Sequence, residues 1–452
     1  MQMTGVRQAF WPMAACALTA MVVVAVLWQP TLGLGGIAAV GLVAIAAASP
    51  AAGAIIWVAV VVMVPFWTFG LTITPGFISL PIAVGLLLRR FGDSVNGKSS
   101  TSGGLAAIDV FIGAGVVLAV ISQQVFGQAA FLTSNVVVTL FGGYLVGRIV
   151  RQSASRTFAI AIIVVAVWGI VEFVTGWHAF VNLNASVGGL GPALQERGGV
   201  TRSEATLGHA IAYGAALAAA VPLVAQLKRP LIWQLILIGG VLASVSRGPI
   251  IAAVFAFAMM AWVSRSTRVR VWSSILLVAG LIGIYFVFTL LYEGAGQSDV
   301  TLSQEARDQQ LWQTLSFANW FGPATGMQMD LEGNYVVNGI ARVDSAPLRL
   351  ALDYGFIIAA LLLTPFVFAS FAVLFRKAGP ATVALASQIP VVFVTSYITQ
   401  WQTIIYFLAG LAVTEYLDAK REAASSEDRT WRPTARQRAQ STRQRARMSA
   451  AN

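Results

Sequence analysis

The tetrapeptide Ser246-Arg247-Gly248-Pro249 concentrates more chemistry than any other stretch of this sequence. One apolar run ends near Ser246 and the next begins near Pro249, a residue favoured at the first helical position, so Arg247 falls at a helix N-terminus. Free backbone N–H groups and the positive end of the helix dipole favour an anion there. A guanidinium adds planar, bidentate donors suited to the oxygens of a diphosphate. Two readings stay open: that binding role, or an arginine that snorkels to lipid headgroups or pairs with Glu172.

Other residues could act beside it. His209 opens an apolar run in Thr206-Leu-Gly-His209-Ala, with Arg202 and Glu204 just upstream. An imidazole next to a carboxylate and a guanidinium can bind a diphosphate or shuttle a proton; it can equally be the hydrogen-bonded start of a helix. Asp344 precedes Ser345 at the start of another apolar run, where either residue would cap a helix at a gain of roughly 1 kcal/mol. Standing among Arg342, Arg349 and Asp353, Asp344 is also where a general base would be expected. Glu172 lies late in an apolar run, where an acid costs free energy unless paired. His178 follows Trp177 and fits an interfacial aromatic belt. The two histidines are not spaced as a local metal motif and the single cysteine, Cys16, lies in the first apolar run, so no dedicated metal, no cofactor and no disulfide are expected.

The elements that must position these groups are membrane spans. The chain has 452 residues, 57% hydrophobic and only 10% charged, against about a quarter charged in a soluble domain. Its apolar residues come in blocks near 8–28, 31–49, 51–67, 73–90, 108–124, 131–150, 157–175, 207–227, 231–246, 249–264, 271–291, 346–375, 380–398 and 400–417. Each is close to the length a helix needs to cross the hydrocarbon, and none alternates as a barrel strand would. The expected fold is an all-α integral membrane protein, a polytopic bundle of about 12 to 14 transmembrane helices. Gly143 and Gly147 would allow two of those helices to pack closely.

Alternating the blocks from a cytoplasmic N-terminus puts most of the 29 basic residues inside, including Arg89, Arg90, Arg148, Arg151, Arg265, Arg268, Arg376 and Lys377. The positive-inside bias therefore sets both termini in the cytoplasm. Arg197, Arg202, Arg247, Arg307, Arg342 and Arg349 remain outside. Two outer loops are long, 176–206 with a glycine-rich turn at Gly188–Pro192, and 292–344 with a short helix expected around Ser303–Phe317. The expected division is a transmembrane domain over 1–417 and a disordered, basic cytoplasmic tail over 418–452, which suits anionic headgroups better than nucleic acid because only Trp431 interleaves with its arginines.

Taken in order, these features resemble the O-antigen ligase and polymerase family of bacterial membrane glycosyltransferases. The matching elements are Gly169-Ile-Val-Glu172-Phe-Val-Thr-Gly176, Arg202 followed by Thr206-Leu-Gly-His209, Ser246-Arg247-Gly248, Arg307 with Trp312, Phe321-Gly-Pro-Ala-Thr-Gly326, and Asp344-Ser345-Ala-Pro-Leu348 leading to Asp353-Tyr-Gly355. The resemblance implies a GT-C-like bundle in the cytoplasmic (inner) membrane, with its active face extracytoplasmic. It implies a metal-independent enzyme that polymerises polyprenyl-diphosphate-linked oligosaccharide repeats into a surface polysaccharide. By that resemblance Arg247 holds the donor diphosphate, helped by Arg202, Arg307 or Arg342, and Asp344, His209 and Glu172 are the catalytic candidates. The family pattern has a His-Asn pair where this chain has Asp344-Ser345, and a carboxylate there is similar to the outer-loop acid of cell-wall polymerases. The implied partners are the lipid-linked donor, a glycan acceptor and membrane lipids, with no nucleic acid. A ligase passing a finished glycan to a lipid or cell-wall acceptor is the nearest alternative, and a flippase of lipid-linked oligosaccharide is the alternative of a different class.

Overall fold

A computed structural model describes residues 30–69, 74–95, 105–127, 135–150, 152–186, 194–197, 199–283, 285, 311–312, 314–329, 335–337 and 343–431. The expected span at 8–28, Cys16, the turn at Gly188–Pro192, Arg307, Arg342 and the tail beyond Trp431 lie outside them. The described residues are mostly α-helical, with short 3-10 stretches, a π-helical stretch at Asn135–Phe141 and two short antiparallel hairpins, Glu196–Arg197 with Val200–Thr201 and Met327–Met329 with Tyr335–Val337.

Among the described residues three helices are long and apolar enough to cross a membrane: Pro75–Val95, Ala107–Phe126 and Ala154–Thr175. A bent pair, Phe356–Leu362 with Thr364–Leu374, makes a fourth if the two count as one span. Shorter apolar helices occupy other expected blocks, among them Pro50–Met63, Pro230–Ala243 and Arg247–Val263. Large apolar side chains face outward along the long helices, Val117 at 57% exposure and Ile160 and Val164 at 48%. In water such faces would be a liability; against hydrocarbon they are the expected surface.

The Ala210–Leu223 helix is the central column. Almost every side chain in it is buried, the signature of a helix apolar all round, and its many alanines let the Gln152–Thr175, Pro230–Ala243, Arg247–Val263 and Pro380–Ser387 helices close around it. A second close contact joins Gly142–Val150 to the last helix, Trp401–Trp431. Here Gly143 and Gly147 do what their spacing suggested. A methyl at Gly143 would lie 2.8 Å from the Thr403 carbonyl oxygen, and one at Gly147 would collide with the Phe407 carbonyl.

Three boundaries differ from the hydropathy reading. The block at 346–375 is broken into Ala346–Tyr354, Phe356–Leu362 and Thr364–Leu374. The first break is at Gly355, whose φ of 94° suits glycine. The 319–324 loop crosses there, with the Gly322 N–H donating to the Tyr354 carbonyl at 3.0 Å and the Phe356 N–H to the Asn319 carbonyl at 3.0 Å. The block at 380–398 breaks at Gln388, ahead of Pro390. The final helix runs through Trp431, so the first part of the expected disordered tail is helical. Its helix-forming Ala, Glu, Lys and Arg residues, with an Arg421–Asp418 pair at 3.7 Å, account for that.

The helix ends gather into two sets. At one end Gln400 donates to the Val64 carbonyl at 2.8 Å, Thr206 to the Val62 carbonyl at 2.6 Å, Ser203 N–H to the Ala243 carbonyl at 3.1 Å, and Ala346 N–H to the Thr395 carbonyl at 3.1 Å. At the other, Arg148 reaches Asp109 and Thr414. Gln400 and Thr414 lie about 20 Å apart along the last helix.

Candidate functional site

The first of these ends holds the sequence's candidates. The Glu196–Thr201 hairpin delivers Arg202, whose N–H donates to the Gln195 carbonyl at 2.9 Å. The Arg202 guanidinium is buried against the turn that starts the Arg247–Val263 helix. Its Nε donates to the Ser244 carbonyl at 3.1 Å and its Nη2 donates to Ser246 Oγ. Ser246 Oγ in turn donates to the Ser244 carbonyl at 2.9 Å, and Ser246 is the residue before Arg247. Arg202 and Arg247 therefore share one turn, although they are far apart in sequence.

That turn is strained. Val245, between the two serines, has φ 45°, and Ala205, beside Arg202, has φ 46°. A β-branched residue in the left-handed region costs about 1–3 kcal/mol and persists only where the surroundings over-determine it. Here the serine oxygens that receive Arg202 are turned towards it by that backbone.

The electrostatics favour an anion. Arg202 meets only neutral oxygens and forms no ion pair among the described residues. Burial and the nearby Arg197 charge both work against its cationic form, and Glu204 partly opposes them. A guanidinium keeps its proton under such a penalty, so the site carries charge that an anion would relieve. Arg247 is half-buried at the N-terminus of its helix, and Val391 and Val394 pack beside Gly248, 3.8 and 3.7 Å from where a methyl would sit, an ordinary contact distance.

Glu172 is 2% exposed. Its Oε1 accepts from Trp168 Nε1 at 3.0 Å and its Oε2 from the Ala205 N–H at 3.0 Å, with His178 Nδ1 at 3.8 Å. These contacts answer the pairing question: Glu172 is engaged by Trp168, Ala205 and His178, not by Arg247. It holds the Arg202 loop on the end of the Gln152–Thr175 helix. His178, expected in an interfacial aromatic belt, is 2% exposed beside Glu172, just after the chain turns at Gly176.

His209 is the N-cap of the Ala210–Leu223 helix, its Nδ1 accepting from the Ile211 N–H at 3.1 Å. That bond makes Nε2 the protonated nitrogen of the neutral ring, so His209 offers a hydrogen-bond donor and not a proton acceptor. Asp344 is exposed, and its backbone is pinned on both sides: Val343 packs in a small core with Ala324, Val337 and Leu352, and Ala346 bonds Thr395. Ser345 holds the N-cap position of the Ala346–Tyr354 helix without a side-chain cap bond. Asp344 and the Arg247 turn flank the same short helix, Ile389–Val394. Arg349 is committed to Asp353 at 3.0 Å.

The loop motif 321–326 and the Asp353-Tyr-Gly355 motif, separate in sequence, lie against each other, with the Ala324 N–H donating to the Leu352 carbonyl at 2.7 Å. Of the 303–317 helix, the described residues 311–312 and 314–317 are helical, with Trp312 71% exposed and Leu311 and Leu315 exposed beside it. Arg197 and Glu204, noted in the sequence as an outer arginine and as the carboxylate upstream of His209, both act on Arg202, and the burial of Glu204 was not foreseen. That carboxyl is 1% exposed, and neither oxygen has a hydrogen bond of good geometry. Burial pushes it up to about 7, held back by the Gln195 backbone and Arg202. The spacing of Arg202 and Glu204 was the available signal. Among the described residues no three His, Cys, Asp or Glu side chains converge as a metal site. No protein-family model matches the chain, and no curated protein or solved structure matches it either.

Proposed function

We propose that this chain is a polytopic membrane glycosyltransferase that extends a polyprenyl-diphosphate-linked glycan at the extracytoplasmic face of the cytoplasmic membrane, with both termini inside. The observation that carries the reading is the bond from the buried Arg202 guanidinium to Ser246, the residue next to Arg247 at its helix N-terminus, with the Arg197 charge close by. It is supported by the gathering, at that same end, of the loops that the positive-inside bias assigns to the outer face.

In this reading the two arginines, with Arg197, grip the donor diphosphate, and Arg307 and Arg342 of the 292–344 loop are further candidates by their place in the sequence. An acceptor hydroxyl oxygen bonds to the anomeric carbon of the donor sugar. The carbon–oxygen bond to the diphosphate breaks, and its electron pair leaves with the polyprenyl diphosphate. The hydroxyl proton passes to Asp344, an exposed carboxylate. Charge growing on the leaving diphosphate is met by preorganised guanidiniums, a stabilisation that requires no divalent ion. His209 donates from Nε2, and Glu172 positions the Arg202 loop.

The test is incubation of the purified protein with a polyprenyl-diphosphate oligosaccharide, products resolved by length. A ladder is expected for polymerisation, whereas a single transfer to a different acceptor would mark a ligase. Arg247→Ala should lower extension by about a hundredfold or more while the protein stays folded in the membrane. Unchanged elongation by that variant would remove Arg247 from the mechanism, and transbilayer movement of the donor without any elongation would favour the flippase.

A further inference from the structure

The opposite end of the bundle carries a cavity with no part in this chemistry. It has a volume of about 730 Å³ and opens between the end of the Arg247–Val263 helix, the turn before Pro380 and the last helix. Its walls are apolar, with Met260, Val263 and Val383 among them, and Arg265, Arg376, Lys377 and Lys420 stand around its mouth. All four cations are exposed, and none forms an ion pair among the described residues. The single acid in the lining, Glu415, is turned away: its Oε2 accepts from the Ala381 and Thr382 N–H groups at 3.1 and 3.3 Å, at the start of the Pro380–Ser387 helix.

A second cavity of about 480 Å³ adjoins the first, sharing Ala225, Met260 and Val269 with it. It adds Arg229, Arg268 and Trp272. Two of the described non-glycine residues with positive φ, Arg229 at 58° and Arg376 at 56°, hold this rim, and the Arg376 guanidinium lies 4.0 Å from the centre of the Trp262 ring. Two of the rim's cations are therefore held by an uncommon backbone conformation, beside two adjoining apolar chambers.

We infer that these paired cavities bind one anionic phospholipid, its phosphate at the Arg265, Arg376 and Lys377 rim and its two acyl chains in the two chambers. The charge complementarity is one-sided: six cations line the two cavities and the only acid is occupied. Basic pockets between membrane helices recognise anionic headgroups in this way. A polyprenyl phosphate has one chain and would fill one chamber, and a free phosphate would leave both apolar walls exposed. The site is independent of the glycan reading, since it lies at the other end of the helices.

The experiment is native mass spectrometry of the full-length protein, equilibrated in detergent with equal amounts of phosphatidylglycerol and phosphatidylcholine of identical chains. One phosphatidylglycerol should be retained in preference, and excess inorganic phosphate should leave it bound. The double substitution Arg265→Gln/Lys377→Gln, at two exposed positions, should weaken that preference by roughly tenfold or more. Ala419→Trp, which fills the first chamber from the exposed side of the last helix, should reduce retention of the lipid as well. Equal retention of the two lipids by the unaltered protein would overturn the proposal, which therefore does not depend on either variant folding. Displacement by phosphate alone, or by a polyprenyl phosphate at equal concentration, would overturn it too.

Discussion

Two buried arginines at opposite ends of the bundle are treated in opposite ways. Arg148 is clamped by Asp109 through two bonds, Nε to Oδ1 at 2.7 Å and Nη2 to Oδ2 at 2.8 Å, and its Nη1 donates to Thr414 at 3.2 Å. Arg202 is as deeply placed but meets a carbonyl and a hydroxyl, with a second arginine close by and Glu204 outside bonding range. The first arrangement is complete as it stands and ties three helices together. The second leaves positive charge under-compensated on a strained turn, as the proposed diphosphate site requires and a structural ion pair does not.

Substitutions should separate the two. Arg148→Ala removes the cation bonded to Asp109, leaving it the Tyr144 hydroxyl and the Ala106 N–H, and is expected to cost about 3–5 kcal/mol, read as a fall in melting temperature of the detergent-solubilised protein. Replacing both Arg148 and Asp109 by apolar residues should restore much of the loss, and no recovery in the double variant would count against the clamp. Arg202→Lys keeps the charge and forfeits the fork that joins Ser244 to Ser246. It should cost roughly 1–3 kcal/mol and should impair elongation more than stability. A variant that elongates normally would reduce Arg202 to a structural role.

A smaller effect concerns Glu204. Burial raises its carboxyl from 4.5 to about 7 in the folded protein, so the folded state binds that proton more tightly than the unfolded chain. The stability this contributes is complete below the unfolded value and is lost as pH rises through about 7. Melting temperature should therefore decline between about pH 5 and about pH 8, and Glu204→Gln should flatten the decline. An identical slope in both proteins would mean that Glu204 is ionised throughout.

What the sequence made legible was periodic or local. Hydropathy located the helices from Pro30 onward, Gly143 and Gly147 announced a close crossing, and Pro249 marked the turn at Arg247. What it hid was long-range. Nothing near Arg202 reveals that its acceptors are Ser244 and Ser246, because that bond depends on how the Pro230–Ala243 helix returns to the hairpin. The break at Gly355 was equally hidden, since an isolated glycine in an apolar run is ordinarily tolerated, and only the crossing 319–324 loop requires it. His178 and Glu204 look like surface residues by type and are buried because two chain reversals, at Gly176 and Gly208, fold them under the loop.

The central claim is that the end bearing Arg202 and Arg247 binds a lipid-linked diphosphate and the end bearing Arg148 does not. The most direct measurement is equilibrium binding of a polyprenyl diphosphate to the reconstituted protein, compared for the unaltered chain, Arg247→Ala, and Arg376→Ala/Lys377→Ala at the opposite end. Arg247→Ala should weaken binding by roughly tenfold to a hundredfold, while the opposite-end variant binds as the unaltered chain does. Equal affinity in Arg247→Ala and the unaltered chain, or a loss confined to the opposite-end variant, would contradict the account.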